Sequence, residues 1–259
     1  MGAIWSGTIS FGLVTIPIQL FPATQRQEIS FHLLHEPDQS RIRYSKVCAE
    51  ENREVPDGEI IRAFEYQKGR FVTLSDEELA AADPEMTRTI DILDFVDGSQ
   101  IDPVYFVKPY YLGPQPGGEK AYTLLAQALA RQNKVAIGQC VIRTKQYLVA
   151  IRSVGEDLVL ETMHYPGEIV EVEALRQGHG KAEVTEAELE MAESLIGHMA
   201  GAFEPEKYED TYREKVLQIV DRKVAGEAIV VPKAPPKIAP VVDLVGALKS
   251  SLAELKKAG

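Results

Sequence analysis

Three short β-prone segments near the middle of the chain, VAIGQCVIRT, QYLVAIRSV and DLVLETM, are separated only by Lys145-Gln146 and by a turn at Gly155. Connections this short join antiparallel neighbours, because a parallel crossover needs a dozen residues or more. A meander of short apolar strands must then close into a barrel or pack as a sandwich. Just upstream, Tyr122, Leu125, Ala126 and Leu129 recur at offsets 0, 3, 4 and 7, which predicts a helix from about Glu119 to Gln132 with one buried face. The N-terminal stretch AIWSGTISFGLVTIPIQLF is punctuated by Gly7, Gly12 and Pro17 and reads as two strands, since a helix would have to absorb Pro17. TIDILDFV is a further strand with Ile90, Ile92 and Asp94 on one side, and PVYFVKPYYL a half-buried aromatic strand pair ahead of a glycine-proline loop. EYQKGRFVTL reads as a hairpin turning at Lys68-Gly69. Ser75-Asp76-Glu77-Glu78 is a capping box starting a short helix through Ala82, which Asp83-Pro84 ends. The fold class is α+β, mainly β.

The same central region reverses the charge of the protein. The whole chain carries −11, yet residues 120–152 hold Lys120, Arg131, Lys134, Arg143, Lys145 and Arg152 and no acid. Residues 51–103, by contrast, hold five basic residues against fourteen acids. With charges screened over about 8 Å at physiological salt, nearby groups dominate, so a basic face can coexist with an acidic exterior. That face asks for an anionic partner, and duplex DNA fits it. Arg41, Arg43 and Lys46, in the segment RIRYSK, form either a second phosphate-contacting strip or a solvated edge.

The last third changes character. Thr185-Glu186-Ala187-Glu188 is a second capping box, followed by a helical stripe of Leu189, Ala192, Leu195, Ile196 and Met199. After Pro205 a second helix carries Tyr208, Tyr212, Val216, Ile219 and Val220. The pair either covers the β-rich body or packs on a second subunit. Pro232, Pro235, Pro236 and Pro240 make a stiff linker. Beyond it Val241, Leu244, Val245, Leu248, Leu252 and Leu255 fall on one helical face. Such a helix either docks back or serves as a partner-binding peptide, and the second reading is preferred. These shifts divide the chain into a core over 1–184, a helical arm over 185–231, and a linker with a short tail over 232–259.

Residues that could carry chemistry fall in no convergent pattern. Gly7 to Gly12 around Ser10 has one residue too many for a nucleophile elbow. His32, His35 and Cys48 lack the four ligands at recognisable spacing that zinc requires. Asp91, Asp94, Asp97 and Asp102 read as solvated faces, and the loop 113–118 lacks the Gly-Lys-Ser/Thr of a nucleotide-binding loop. No catalytic group, metal or cofactor is expected. The longest apolar run, Phe11 to Phe21, is too short and interrupted to span a bilayer, and MGAIWSG has no charged head or cleavage site. Two cysteines suit a reducing cytoplasm.

Several long segments together resemble the bacterial Ku proteins. They are AIWSGTISFGLVTIPIQLF, SRIRYSKVC, EYQKGRFVTLSDEE, IDILDFV with IDPVYFVKPYYLGP, AYTLLAQAL with KVAIGQCVIRTKQYLVAIR, and ELEMAESLIGHMAGAFEPEKYEDTYREKVLQIVDRKVAGE, nearly collinear from Ala3 to about Val231. The resemblance implies a β-barrel core with bridge strands and a C-terminal helical arm. It further implies a ring-shaped homodimer that encloses double-stranded DNA ends, a nucleoid-associated place in the cytoplasm, and recruitment of the ATP-dependent DNA ligase of bacterial end joining. No chemistry of its own is implied. The chain ends without the lysine-rich extension some members carry, so DNA affinity would rest on the ring alone. The alternative is a SPOC-like barrel that takes a phosphopeptide as its anion.

Overall fold

In the computed structural model, which describes residues 2–82, 88–142, 145–172, 183–227 and 244–258 (side chains of 82 and 255–258 excepted), alternating apolar residues roll one sheet into a closed barrel. In chain order its unit, Met1–Glu171, comprises β1 (Trp5–Phe11), β2 (Val14–Pro22), β3 (Arg62–Gln67), β4 (Arg70–Leu74), α1 (Asp76–Ala82) and β5 (Thr89–Asp97). Then follow β6 (Phe106–Pro114), α2 (Glu119–Gln132), β7 (Lys134–Ile142), β8 (Lys145–Val154) and β9 (Asp157–Met163). The barrel order is β1-β2-β6-β9-β8-β7-β5. All pairs are antiparallel except the closing one, where β5 meets β1 in parallel with Ile9 opposite Ile90. This closure removes the free strand edges that an open meander would expose.

Ile9, Ile16, Ile18, Leu20, Ile90, Val149, Ile151, Leu158 and Leu160 are fully buried inside the ring. Each is worth about 1.5–3 kcal/mol relative to exposure. Helix α2 touches β2, β7, β8 and β9, strands from opposite sides of the ring, and adds Tyr122, Leu125, Ala126 and Leu129 to the same core. The four residues of the sequence stripe are therefore its buried face. On the other face of the meander, Val135, Ala150 and Met163 are covered by Val96, Ile101, Tyr105 and Phe106. Both faces of β7 and β8 are thus packed, which is why these segments read as near-continuous apolar runs.

Close backbone approach fixes the seam around β5. A Cβ on Gly138 would fall 2.5 Å from the Asp91 carbonyl oxygen, beside the bulge between Ile92 and Asp94. Trp5 donates its indole N–H to the Val141 carbonyl at 3.1 Å, tying β1 to β7 across that strand.

The ribbon β3–β4 turns at Gly69, whose φ is 75°, and among the described residues its two strands pair only with each other. The second unit, Val172–Gly259, contributes α3 (Glu186–Met199), α4 (Thr211–Val224) and α5 (Leu244–Ala258). Thr185 and Glu188 form the anticipated capping box, as do Ser75 and Glu78 ahead of α1. Helix α5 lies along α3.

Three expectations need correction. PVYFVKPYYL is not a strand pair, because Pro103–Tyr105 is a 3-10 turn that Asp102 caps, and one strand follows it. Asp94 does not share a side with Ile90 and Ile92, since the bulge inserts a residue and leaves Asp94 exposed while Ile92 faces the core. Tyr208 precedes its helix rather than opening it, and stacks on Phe203 with ring centroids 5.8 Å apart. The helix stop at Asp83-Pro84 and the linker prolines from Pro232 to Pro240 lie outside the described residues.

Candidate nucleic-acid interface

The basic residues of the central run are carried by consecutive elements of one unit. Lys120 and Arg131 are exposed near the two ends of α2, and Arg131 lies in the last turn, where a cation suits the carbonyl end of the helix dipole. Asn133 ends the helix in a left-handed conformation, φ 50°, and Lys134 starts β7 immediately after. Lys145 opens β8 with its Nζ 5.3 Å from the centre of the Tyr147 ring. Arg152 lies near the other end of that strand, and Arg143 lies outside the described residues. Lys108, absent from the sequence-based candidates, is exposed on β6 with its Nζ 5.4 Å from the Tyr110 ring centre.

The second strip is a pair of turns rather than a strand. Arg41 meets Leu34 in an isolated bridge, and Arg41, Arg43 and Lys46 are all exposed.

Carboxylates meet several of these cations, among them Asp97, which the sequence alone suggests is only solvated. Lys46 Nζ is 2.7 Å from Asp57, Lys134 Nζ is 2.8 Å from Asp97, and Arg152 Nη2 is 2.9 Å from Glu161. Glu168 is held below the usual carboxylate range, first by the Tyr165 amide and then by the nearby charges of Lys145 and His164. Arg41, Arg43, Lys120 and Arg131 make no ion pair among the described residues. The Lys46–Asp57 pair is exposed, and such pairs contribute about 0–1 kcal/mol, so it leaves its cation available to a stronger anion. The Arg152–Glu161 contact was within reach of hairpin counting, because Val154 opposite Asp157 sets Ala150 opposite Glu161, diagonal to Arg152. Asp97 and Lys134 are 37 residues apart and gave no such signal.

Among the described residues no three His, Cys, Asp or Glu side chains converge on a possible metal site, and no helix is long and apolar enough to cross a membrane. Cys140 is buried and its thiol is pushed up to about 12, whereas amide N–H groups of Glu51 and Glu50 lower that of Cys48. In the second unit, Val245, Leu248 and Leu252 are half-buried on α5 and Leu244 is exposed. Val241 and the side chain of Leu255 lie outside the described residues.

The comparisons agree with this architecture. The Ku70/Ku80 beta-barrel domain model matches residues 10–191. A non-homologous end joining protein Ku from Anaeromyxobacter sp. (strain K) is 44% identical over 99% of this chain and 87% of its own length. Its counterpart from Archaeoglobus fulgidus is 40% identical over 99% of this chain and 100% of its own, and that from Bacillus subtilis is 41% identical over 97% and 82%. The SPOC domain of human PHD-finger protein 3 has a TM-score of 0.31 and 10% identity over 62% of this chain and 95% of its own, a likeness too distant to carry any argument. A family model that matches residues 10–191 and near full-length relatives at 40–44% identity place this chain in the Ku family.

Proposed function

We propose that the protein binds double-stranded DNA ends without reading their sequence, as a ring-shaped homodimer, and recruits the end-joining DNA ligase in double-strand break repair. The observation that carries this reading is the acid-free run from Lys120 to Arg152, whose described cations are held on α2, β7 and β8 of a closed barrel in a chain of net charge −11. The relatives' own names, non-homologous end joining protein Ku, supply the context. Lys and Arg contacts to phosphate give affinity and register but carry no sequence information.

The second copy is supported by what the chain leaves uncovered. On the β3–β4 ribbon Phe64, Tyr66, Phe71 and Val72 are 61, 54, 63 and 45% exposed, with aromatic residues on both faces. An isolated two-stranded ribbon is marginal in water. Helices α3 and α4 likewise expose Ile196, Met199, Tyr212 and Val224. Exposed apolar surface on this scale marks an interaction site, and a two-fold pairing covers the same patches on both copies. A closed ring admits DNA only from a terminus. The tail over 232–259 is the segment we assign to the ligase; α5 lies along α3 in the free chain, so Val245, Leu248 and Leu252, half-buried on α5, would come away from that helix to meet the partner. The protein itself makes and breaks no bonds.

The test compares the full chain with one ending at residue 231, on linear duplex and on covalently closed circles, at two salt concentrations. Both chains are expected to retain linear duplex, to lose circles, and to weaken with a log–log salt slope of about −0.9 per phosphate neutralised. Only the full chain is expected to stimulate the ligase. Equal affinity for both topologies removes the ring, and undiminished stimulation by the shorter chain removes the tail as the docking segment.

A further inference from the structure

Lys134 and Arg152 are 18 positions apart in sequence, yet they line one polar cleft of about 350 Å3. The cleft lies between the end of α2, the start of β7 and the far end of β8, and Asp97, Ser99 and Asn133 also line it. Each cation is held by a carboxylate. Asp97 stands directly opposite Lys134 in the β5–β7 register, with Oδ1 2.8 Å from Nζ. Glu161, whose side chain is only 14% exposed, accepts from Arg152 Nη2 at 2.9 Å and Nε at 3.4 Å through the same oxygen. An arginine has five N–H donors, so most of the guanidinium remains for another acceptor.

We propose that this cleft seats one phosphodiester of the duplex, and that Asp97 and Glu161 are resident competitors that hold affinity below what Lys134 and Arg152 alone would give. The inference rests on the duplex-binding reading above and deepens it. A phosphate entering the cleft meets two cations, the Ser99 hydroxyl and the Asn133 amide, all able to donate to its oxygens. To engage Lys134 it must displace or share Asp97, and the Asp97 carboxylate repels it meanwhile. The consequence is a contact that forms and breaks readily, which suits a clamp that must move along a duplex without reading it.

The test is Asp97→Asn, read by fluorescence anisotropy of a labelled linear duplex at 50 and 200 mM salt. Asparagine has the same shape, and Asp97 joins the Gly98–Gln100 turn through its backbone N–H, which donates to Gln100 Oε1 at 3.2 Å, so the change removes charge and little else. Asp97→Asn is expected to bind more tightly than the parent. Its salt slope steepens by about 0.9, an extra loss of about 3-fold between the two salts. Glu161→Gln acts in the same direction through Arg152. In a double-mutant cycle, Lys134→Gln abolishes the gain from Asp97→Asn. Parental affinity and slope in Asp97→Asn overturn the proposal. So does a gain that survives Lys134→Gln, which signifies a diffuse charge effect. Failure of the parent chain itself to bind linear duplex refutes the duplex reading instead, so the two outcomes are separable.

Discussion

Tyr122 shows how one side chain can determine whether a barrel seam closes. Its hydroxyl donates to the Leu112 carbonyl at 2.7 Å and accepts the Leu158 N–H at 2.8 Å, where β6 and β9 face each other at the last pair of their register. The ring is 5% exposed, and burial raises the phenol above its ordinary pKa. Tyr122→Phe leaves a carbonyl and an amide unpaired in the core. It should cost about 1–3 kcal/mol, seen as a lower urea midpoint with an unchanged slope. The two cysteines are the second residue-scale case. Burial pushes the Cys140 thiol from its ordinary 9.0 up to about 12, so the folded chain keeps it protonated where the unfolded chain ionises. A raised folded-state pKa contributes stability that is intact below pH about 9 and is lost as pH rises towards about 12. Cys48 is lowered and more accessible. A thiol reagent at pH 8 should therefore label one site per native chain quickly and the second only on unfolding. Two fast sites would contradict the packing of Cys140.

At the scale of elements, what local pattern can encode was legible. The α2 stripe, both capping boxes and the Gly69 hairpin follow from spacings of three or four residues or from one turn, and all are present. The bulge at Ile92–Asp94 was not legible, because it answers to Gly138 on another strand. The aromatic segment 103–112 misled because its β-prone composition gives no sign that Asp102 and Pro103 begin with a capped turn. The ribbon is where an element makes a prediction. Phe64 lies opposite Val72 on one face and Phe71 opposite Glu65 on the other. Phe64→Glu with Phe71→Glu should halve the mass found by sedimentation while leaving the far-ultraviolet signature of the barrel intact. A variant that keeps the parental mass would remove the ribbon from the proposed pairing.

For the whole molecule, charge and topology answer different questions. Net charge of −11 speaks against phosphate binding, and only its segregation into an acid-free run speaks for it. That segregation belongs to the sequence alone, as do the strand and helix periods, because each depends on composition or on near neighbours along the chain. The tertiary structure decided the rest. It closed β5 onto β1 in parallel, brought Lys134 and Arg152 into one cleft, and set Asp97 opposite the first of them across 37 residues. The physical reason is that a charge's worth depends on what stands within a few ångströms of it, and strand register between distant segments sets that neighbourhood. The sequence identified a basic run that calls for an anion; the barrel determined which of its cations already have one.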